Sequence, residues 1–252
     1  MAPIRILLTG PTGKVSRELC TGLLAEREFQ LVAGISRTGA GRDLGELLGL
    51  SGARGIPTFP TAEAFLTAGI KADVVIDFTV AEAALQLLPP LIKAGIAPVV
   101  GTTGLGDGLK TLTDLCRSSG IGGAFLPNFA VGVMLMIRWA EEARRFFPHV
   151  EVIEYHHHTK LDAPSGTALR TQERLQRAAG DLTAPPVPVH SIRLPGLVAH
   201  QEVLFGGPGQ VLTIRHDAPS RAAYTPGVLL AARWVLRTKQ VAMDLEEIAY
   251  PD

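Results

Sequence analysis

The chain has 252 residues, and its 24 Lys and Arg residues balance 24 Asp and Glu residues, so the formal net charge at pH 7 is zero. A neutral chain has no excess positive charge with which to bind nucleic acid or an anionic membrane, and both partners are therefore excluded. Hydrophobic residues make up 46% of the chain and charged residues 19%, a composition that predicts a folded protein and excludes a disordered one.

The first half of the chain alternates apolar runs with helical patterns. Strands are predicted at residues 4–8, 31–35, 74–78, 97–100 and 124–126, and helices at 15–27, 44–48, 61–68, from 81 onward and at 105–119. Thr61 is the predicted N-cap of its helix, whereas Pro89 and Pro90 are expected to break or kink the helix that starts at Ala81. This alternation predicts an α/β domain with a parallel sheet, and the almost continuously apolar strands predict helices on both faces.

After Asn128 the pattern changes. A helical stretch over 131–147 precedes a strand that alternates apolar and polar residues around 150–154, a turn into a helix over 163–179 and a proline-rich connector over 180–188. Further strands are predicted at 190–193, 201–205 and 211–216, followed by a last helix over 227–238. Because Gly and Pro turns join these strands, this half predicts an α+β domain with a mixed or antiparallel sheet.

Cysteine usage and hydropathy predict a cytoplasmic location. Cys20 and Cys116 form no CxxC pair and no disulfide framework, which is typical of a reducing compartment. The apolar run at 4–8 is too short for a signal peptide. No apolar stretch reaches the ~18 residues that a membrane-spanning helix needs.

The turn after the first strand has the features of a nucleotide-binding turn. Gly10, Pro11, Thr12 and Gly13 lead into a helix that begins near Lys14 and Val15. The glycines let the backbone approach a pyrophosphate, and the positive end of the helix faces that anion. Ser16 takes the third small position of the dinucleotide fingerprint. The alternative is an ordinary tight turn that holds no ligand.

Three later strand ends are expected to lie at the same sheet edge. After the second strand, Ser36 and Arg37 replace the acidic residue that selects NAD, so Arg37 favours the 2′-phosphate of NADPH, unless it is simply a solvated surface arginine. Phe78 and Thr79 follow the strand at 74–78, and Gly101, Thr102 and Thr103 follow the strand at 97–100. These two segments either approach the ribose and nicotinamide or serve as strand-to-helix turns capped by Thr.

The segment from Glu154 to Ala168 combines three histidines, a lysine and a Ser-Gly-Thr turn at a helix start. A zinc site would need His156 and His158 to converge, but no second cluster of ligands is evident, so no metal is predicted. A polar strand end is the second possibility, and it suits His158 in particular. The third is a proton-handling anion site for a small dianion. There Lys160 supplies charge, Ser165, Gly166 and Thr167 supply a helix N-terminus, and a histidine donates a proton.

The run HHHTKLDAPSGTA over residues 156–168 resembles the signature of the dihydrodipicolinate reductase family, the 4-hydroxy-tetrahydrodipicolinate reductases of the diaminopimelate–lysine pathway. The resemblance extends to almost the whole chain. It includes residues 10–15, 77–79, 101–104, 127–133, 204–207 and 216–221 and the helix at Gly227. A reductase of the short-chain type is excluded, because Tyr155 and Lys160 are five residues apart and lie on a strand and loop. An NADP-binding sensor is a further alternative, although sensors of this kind usually lose their proton donors.

The resemblance implies a fold, an assembly and a set of site residues. The fold is a Rossmann-like parallel-sheet domain formed by residues 1–127 and 219–252, with residues 128–218 as an α+β substrate and tetramerisation domain containing a mixed sheet. The protein is then a homotetramer that reduces a small dicarboxylate cyclic imine with NADPH or NADH. His156 resembles the proton donor, Lys160 the assisting acid, and His157 a substrate-binding residue. Ser165, Gly166 and Thr167 resemble the turn that binds the substrate carboxylate. The implied cofactor contacts include Gly10 to Val15, Gly101 to Thr103, and Leu126, Pro127, Asn128 and Phe129.

Overall fold

The computed structural model describes residues 2–50, 54–180 and 185–251, so part of the predicted connector over 180–188 lies outside the described residues. The chain divides into two compact units. The first contains Met1–Phe129 and Tyr224–Asp252, and the second contains Ala130–Ala223. The predicted boundaries, after residues 127 and 218, lie a few residues before these junctions.

The secondary-structure elements are numbered along the chain. The strands are β1 Ile4–Thr9, β2 Phe29–Ile35, β3 Thr58–Phe59, β4 Val74–Asp77, β5 Ala97–Val100, β6 Gly123–Phe125, β7 His149–His156, β8 Val189–Arg193, β9 Ala199–Gly207, β10 Gln210–Ala218 and β11 Val241–Ala242. The helices are α1 Lys14–Ala25, α2 Leu44–Leu48, α3 Ala62–Thr67, α4 Ala81–Lys93, α5 Gly108–Ser119, α6 Val131–Arg144, α7 Gly166–Ala178, α8 Thr225–Val235 and α9 Leu245–Ala249. No helix within the described ranges is long and apolar enough to cross a membrane.

The first unit is a parallel sheet with helices. Within the described residues it has seven strands in the order β11-β6-β5-β4-β1-β2-β3. All neighbouring strands run parallel. The strands are almost wholly apolar, and Leu7, Val75 and Val100 pack in one core cluster with Phe65 of α3 and Leu88 of α4. This is the Rossmann-like parallel sheet that was predicted.

The expected break at Pro89 and Pro90 is wrong, because α4 continues through both residues. The prolines remove two backbone donors from the helix. Ala84, Leu88, Leu91 and Ile92 are fully buried along one side of α4, and this packing offsets the loss. Three short elements were not predicted. β3 and β11 are two-residue strands at the sheet edges, and α9 spans five residues.

The second unit is a mixed sheet packed with α6 and α7. Within the described part of the chain it has four strands in the order β10-β9-β7-β8. β9 is antiparallel to both β10 and β7, whereas β8 is parallel to β7. Alternate residues of β7 and β9 point to the core, where Val152, Val203 and Phe205 are fully buried. The predicted mixed-sheet α+β unit is therefore confirmed.

Candidate functional site

The predicted nucleotide-binding residues all follow carboxyl ends of strands in the first unit. The sheet order places β1 between β4 and β2, so the chain reverses direction across the sheet at β1. Ligands of open α/β sheets bind at such a point, beyond the carboxyl ends of the strands. The structure thus brings five predicted segments to one edge of one sheet. They begin at Gly10 after β1, Ser36 after β2, Phe78 after β4, Gly101 after β5 and Leu126 after β6.

The turn after β1 is shaped by glycine and open to an anion. Gly10 has a φ of +56°, and a Cβ there would lie 2.7 Å from Cγ2 of Thr79. α1 then begins at Lys14, with Gly13 as its N-cap, without a side-chain cap and without an acidic residue in its first turn. The N–H groups at the start of α1 therefore face a turn with few large side chains. This arrangement suits the binding of a phosphate group. Thr12 and Lys14 are exposed beside it.

Asp77 joins three strand ends at this edge, and sequence reasoning missed it. Its side chain is fully buried. Oδ1 accepts hydrogen bonds from Thr9 Oγ1 at 2.5 Å and Thr79 Oγ1 at 2.9 Å. Oδ2 accepts one from Thr102 Oγ1 at 2.5 Å. These threonines end β1 or follow β4 and β5, so one carboxylate ties together the backbone turns around the candidate nucleotide site. An acid at the end of an otherwise apolar strand was the available signal.

Phe78 lies against Gly101 at the same edge. A Cβ on Gly101 would be 2.1 Å from Cε1 of Phe78, so only glycine leaves room for this ring. The Phe78 ring also contacts the ring of Phe129, with centroids 5.3 Å apart. Phe129 and Leu126 are buried, which leaves their backbone rather than their side chains available to a ligand. Pro127 and Thr103 are exposed, and Asn128 is half-buried.

The two residues predicted to select the cofactor differ in their surroundings. Ser36 is buried, and its Oγ accepts a hydrogen bond from the Gly39 N–H at 3.1 Å, so it holds the loop after β2 in shape. Arg37 is exposed next to it. Of the pair, Arg37 is the side chain that can reach a phosphate.

The second unit gathers the predicted reaction residues at the end of β7. Glu154 and His156 are two residues apart on one strand, so they point to the same face. The Glu154 carboxylate is fully buried and hydrogen-bonds His156 Nδ1 through Oε2. Arg193 of β8 donates to both carboxylate oxygens, at 2.9 Å from Nη1 and 2.7 Å from Nη2. Sequence reasoning missed Glu154, which the two-residue spacing could have shown, and Arg193, for which no local signal exists.

Lys160 and the start of α7 complete this cluster. The Lys160 ammonium donates to both carboxylate oxygens of Asp162, at 2.6 and 2.8 Å. Ser165 is the N-cap of α7, and its Oγ accepts from the Ala168 N–H at 3.2 Å. Gly166 is exposed, with open space where a Cβ would lie. The turn can therefore admit a ligand close to its backbone.

The other two histidines of the run follow His156 directly, beyond the end of β7. His157 Nδ1 contacts Thr159 Oγ1 at 2.8 Å, and His158 is exposed in the turn beyond β7. Among the described residues, no cluster of three or more His, Cys, Asp or Glu side chains is arranged to hold a metal ion.

The groups around His156 shift its pKa in opposite directions. Burial lowers the pKa of His156 below its ordinary value of 6.5, and the positive charges of Lys160 and Arg193 lower it further, whereas Glu154 raises it. Burial opposes ionisation of Glu154, but hydrogen bonds from Arg193, Ser191 and His156 keep the pKa of its carboxyl below the usual range. The site therefore holds an ionised, buried carboxylate against an imidazole, a side chain suited to proton transfer.

Taken together, the features of the two units indicate a class of enzyme. A Rossmann-type sheet with a glycine turn at its switch point, joined to a unit that carries a histidine–carboxylate pair, is typical of oxidoreductases that use a pyridine nucleotide. Distant solved structures share this fold. An amine dehydrogenase from Mycobacterium smegmatis matches with a TM-score of 0.65 at 15% identity, over 93% of this chain and 92% of that one.

The chain belongs to the dihydrodipicolinate reductase family. Residues 4–129 match the family profile described as dihydrodipicolinate reductase, N-terminus, and residues 132–248 match the profile described as its C-terminus. A 4-hydroxy-tetrahydrodipicolinate reductase from Symbiobacterium thermophilum is 61% identical over 252 residues, covering 100% of this chain and 99% of the relative. One from Moorella thermoacetica is 43% identical over 265 residues, covering 98% of each.

A solved structure supports the same assignment. The dipicolinate-bound dihydrodipicolinate reductase from Paenisporosarcina sp. TG-14 is 34% identical, with a TM-score of 0.81 over 98% of this chain and 100% of that one. The resemblance deduced from the motif at 156–168 is therefore confirmed. The first unit is a nucleotide-binding Rossmann domain, which supports a pyridine nucleotide as the cofactor.

Proposed function

We propose that this chain reduces 4-hydroxy-tetrahydrodipicolinate to tetrahydrodipicolinate with a reduced nicotinamide nucleotide, as the names of its relatives state for those proteins. The observation that carries the proposal is the cluster at the end of β7. There a histidine bound to a buried carboxylate, a lysine and an open helix N-terminus lie within one segment and its β8 neighbour. A small dianion that must gain a proton fits this combination of groups.

The substrate takes up one hydride and one proton and loses one water during the reaction. The 4-hydroxyl group leaves with a proton from the adjacent carbon as water, which gives the conjugated imine. Hydride addition to this imine leaves the neighbouring carbon rich in electrons, and His156 protonates that carbon from Nε2. Lys160, which donates to Asp162, supplies a positive charge that attracts the dianion and assists the protonation. Backbone N–H groups at Gly166 and Thr167 bind one substrate carboxylate, and His157 contacts the substrate beside His156.

The first unit holds the nucleotide in this proposal. The glycine turn at Gly10 to Val15 and the start of α1 bind the pyrophosphate, and Phe78, Thr79 and Gly101 to Thr103 lie near the nicotinamide. When bound, the reduced nicotinamide supplies the hydride. Arg37 pairs with the 2′-phosphate, which favours NADPH over NADH.

We also propose a homotetramer assembled through the second unit. α6 and α7 pack on one face of its sheet, while the other face carries the exposed Val211 and the half-buried Leu204 and Ile153. An exposed face with apolar residues suits contact with a second copy of the chain. Light scattering coupled to size-exclusion chromatography tests this, and a monomer at micromolar concentration would refute it.

The activity is tested by a coupled assay. The preceding synthase generates the substrate from pyruvate and aspartate semialdehyde, and the oxidation of NADPH and NADH is followed separately after this protein is added. Rapid oxidation that requires the synthase would support the reductase function, and a higher kcat/KM for NADPH would support the role of Arg37. A protein that binds NADPH but oxidises neither nucleotide would instead be a sensor or would act on another cyclic imine.

A further inference from the structure

We propose that Glu154 is a positioning residue that orients His156 and keeps it able to carry the proton that it donates. This inference deepens the proposed function, since it rests on His156 being the proton donor. Glu154 acts through His156 and does not touch the substrate.

The geometry fixes the direction of the imidazole. An ionised carboxylate only accepts hydrogen bonds, so the contact with Glu154 Oε2 requires the proton of the ring to lie on Nδ1. Nε2 is then the ring nitrogen that exchanges a proton with a ligand. Histidines in proteins are commonly oriented in this way by a carboxylate at the second nitrogen.

The Glu154 carboxylate is itself held in place by hydrogen bonds. Arg193 binds it through two parallel hydrogen bonds, and the backbone N–H of Ser165 donates to Oε1 at 3.3 Å. Arg193 also donates to the carbonyl oxygen of Asp162 at 2.8 Å. Because Ser165 is the N-cap of α7, the same carboxylate sets the position of the proton donor relative to the turn proposed to bind the substrate carboxylate.

The Glu154 carboxylate also affects the pKa of His156, because two positive charges act on the same ring. Lys160 from the loop after β7 and Arg193 from β8 both disfavour the imidazolium, and burial does so as well. Glu154, on the strand of His156 itself, is the opposing charge among the groups that act on the ring. Without it, the imidazole would sit between two cations in a partly buried site and would lose its proton at a lower pH.

The test compares Glu154→Gln with a matched control on the same strand. Glu151 lies on the opposite face of β7, where its Oε2 contacts His190 Nε2 at 2.7 Å, so Glu151→Gln also neutralises a carboxylate that binds a histidine. We expect Glu154→Gln to lower kcat by about 10²-fold, as loss of an orienting carboxylate does elsewhere. We also expect the alkaline limb of its kcat–pH profile to move to lower pH by about one unit. Glu151→Gln should leave kcat and the alkaline limb of the profile unchanged. The two variants should bind NADPH with the affinity of the unmodified protein.

Glu154→Gln with an unchanged alkaline limb and an unchanged kcat would overturn the proposal. If this variant does not fold, the tautomer of His156 in the unmodified protein decides the matter through its ¹⁵N chemical shifts above its pKa. The Nδ1–H form is expected, and the Nε2–H form would refute the proposed orientation. This measurement needs no turnover, so its failure is distinct from a failure of the proposed reductase activity.

Discussion

Replacing Asp77 by alanine would separate the three turns that this carboxylate joins. Thr9 and Thr79 have second acceptors within reach, the Ile76 carbonyl at 3.2 Å and the Val80 carbonyl at 3.4 Å. Thr102 is buried and its hydroxyl donates to Asp77. Losing this hydrogen bond therefore contributes most of the loss in stability. A hydrogen bond to a charged group contributes about 1.5–3 kcal/mol, and the weaker replacement bonds add to the deficit. We therefore expect Asp77→Ala to lower the free energy of unfolding by about 3 kcal/mol.

The same change should weaken nucleotide binding, because Thr79 and Thr102 lose their anchor beside the candidate site. We expect the Kd of NADPH to rise by about tenfold, equivalent to ~1.4 kcal/mol. Asp77→Asn should cost only about 1 kcal/mol of stability, since the amide retains the shape but forms neutral hydrogen bonds. Urea unfolding measures the stability, and NADPH fluorescence titration measures the affinity.

Asp73→Ala is the control for a merely structural effect. Asp73 precedes β4 at its amino end, where it accepts a hydrogen bond from the Arg5 backbone N–H at 2.8 Å and pairs with the Arg5 guanidinium. It lies four positions before Asp77 along the strand direction, a distance of ~13 Å. It should lower stability and leave the NADPH affinity unchanged. The reasoning would be refuted if Asp77→Ala were as stable as the unmodified protein, or if both variants lost affinity equally.

Three further predictions concern the ligands and pH. Lys160→Ala should lower kcat and raise the KM of the cyclic-imine substrate, because its ammonium is proposed to attract the dianion; wild-type kinetics in the coupled assay would contradict this. Arg37→Ala should raise the KM of NADPH about tenfold with little change for NADH, and equal losses would remove the phosphate contact from the account. The free energy of unfolding should decline as the pH falls from ~7 to ~5, because the pKa values of His156 and His216 are lowered by burial in the folded state and the unfolded chain takes up protons first. Urea midpoints that increase as the pH falls from ~7 to ~5 would exclude this contribution of the two histidines.

Local pattern was sufficient for most elements of the first unit. Buried parallel strands are short apolar runs bounded by turns, and α2 was predicted with the bounds that the structure shows. Thr61 caps α3 by accepting the Ala64 N–H, as its position before an apolar helix indicated. The two-residue strands β3 and β11 escaped prediction because so short a segment has no periodicity, and its strand character comes from pairing with β2 and β6.

The sequence by itself determined the family, the alternation of strands and helices, and the segment of residues 156–168 that carries the candidate chemistry. These features are encoded by neighbouring residues, whose spacing and polarity can be read along the chain. Only the tertiary structure decided that α4 continues through two prolines, that Asp77 joins Thr9, Thr79 and Thr102, and that Arg193 holds Glu154 behind His156. Each of these depends on packing or on residues brought together by strand pairing across 25 to 68 positions of sequence, a separation over which composition and periodicity give no information.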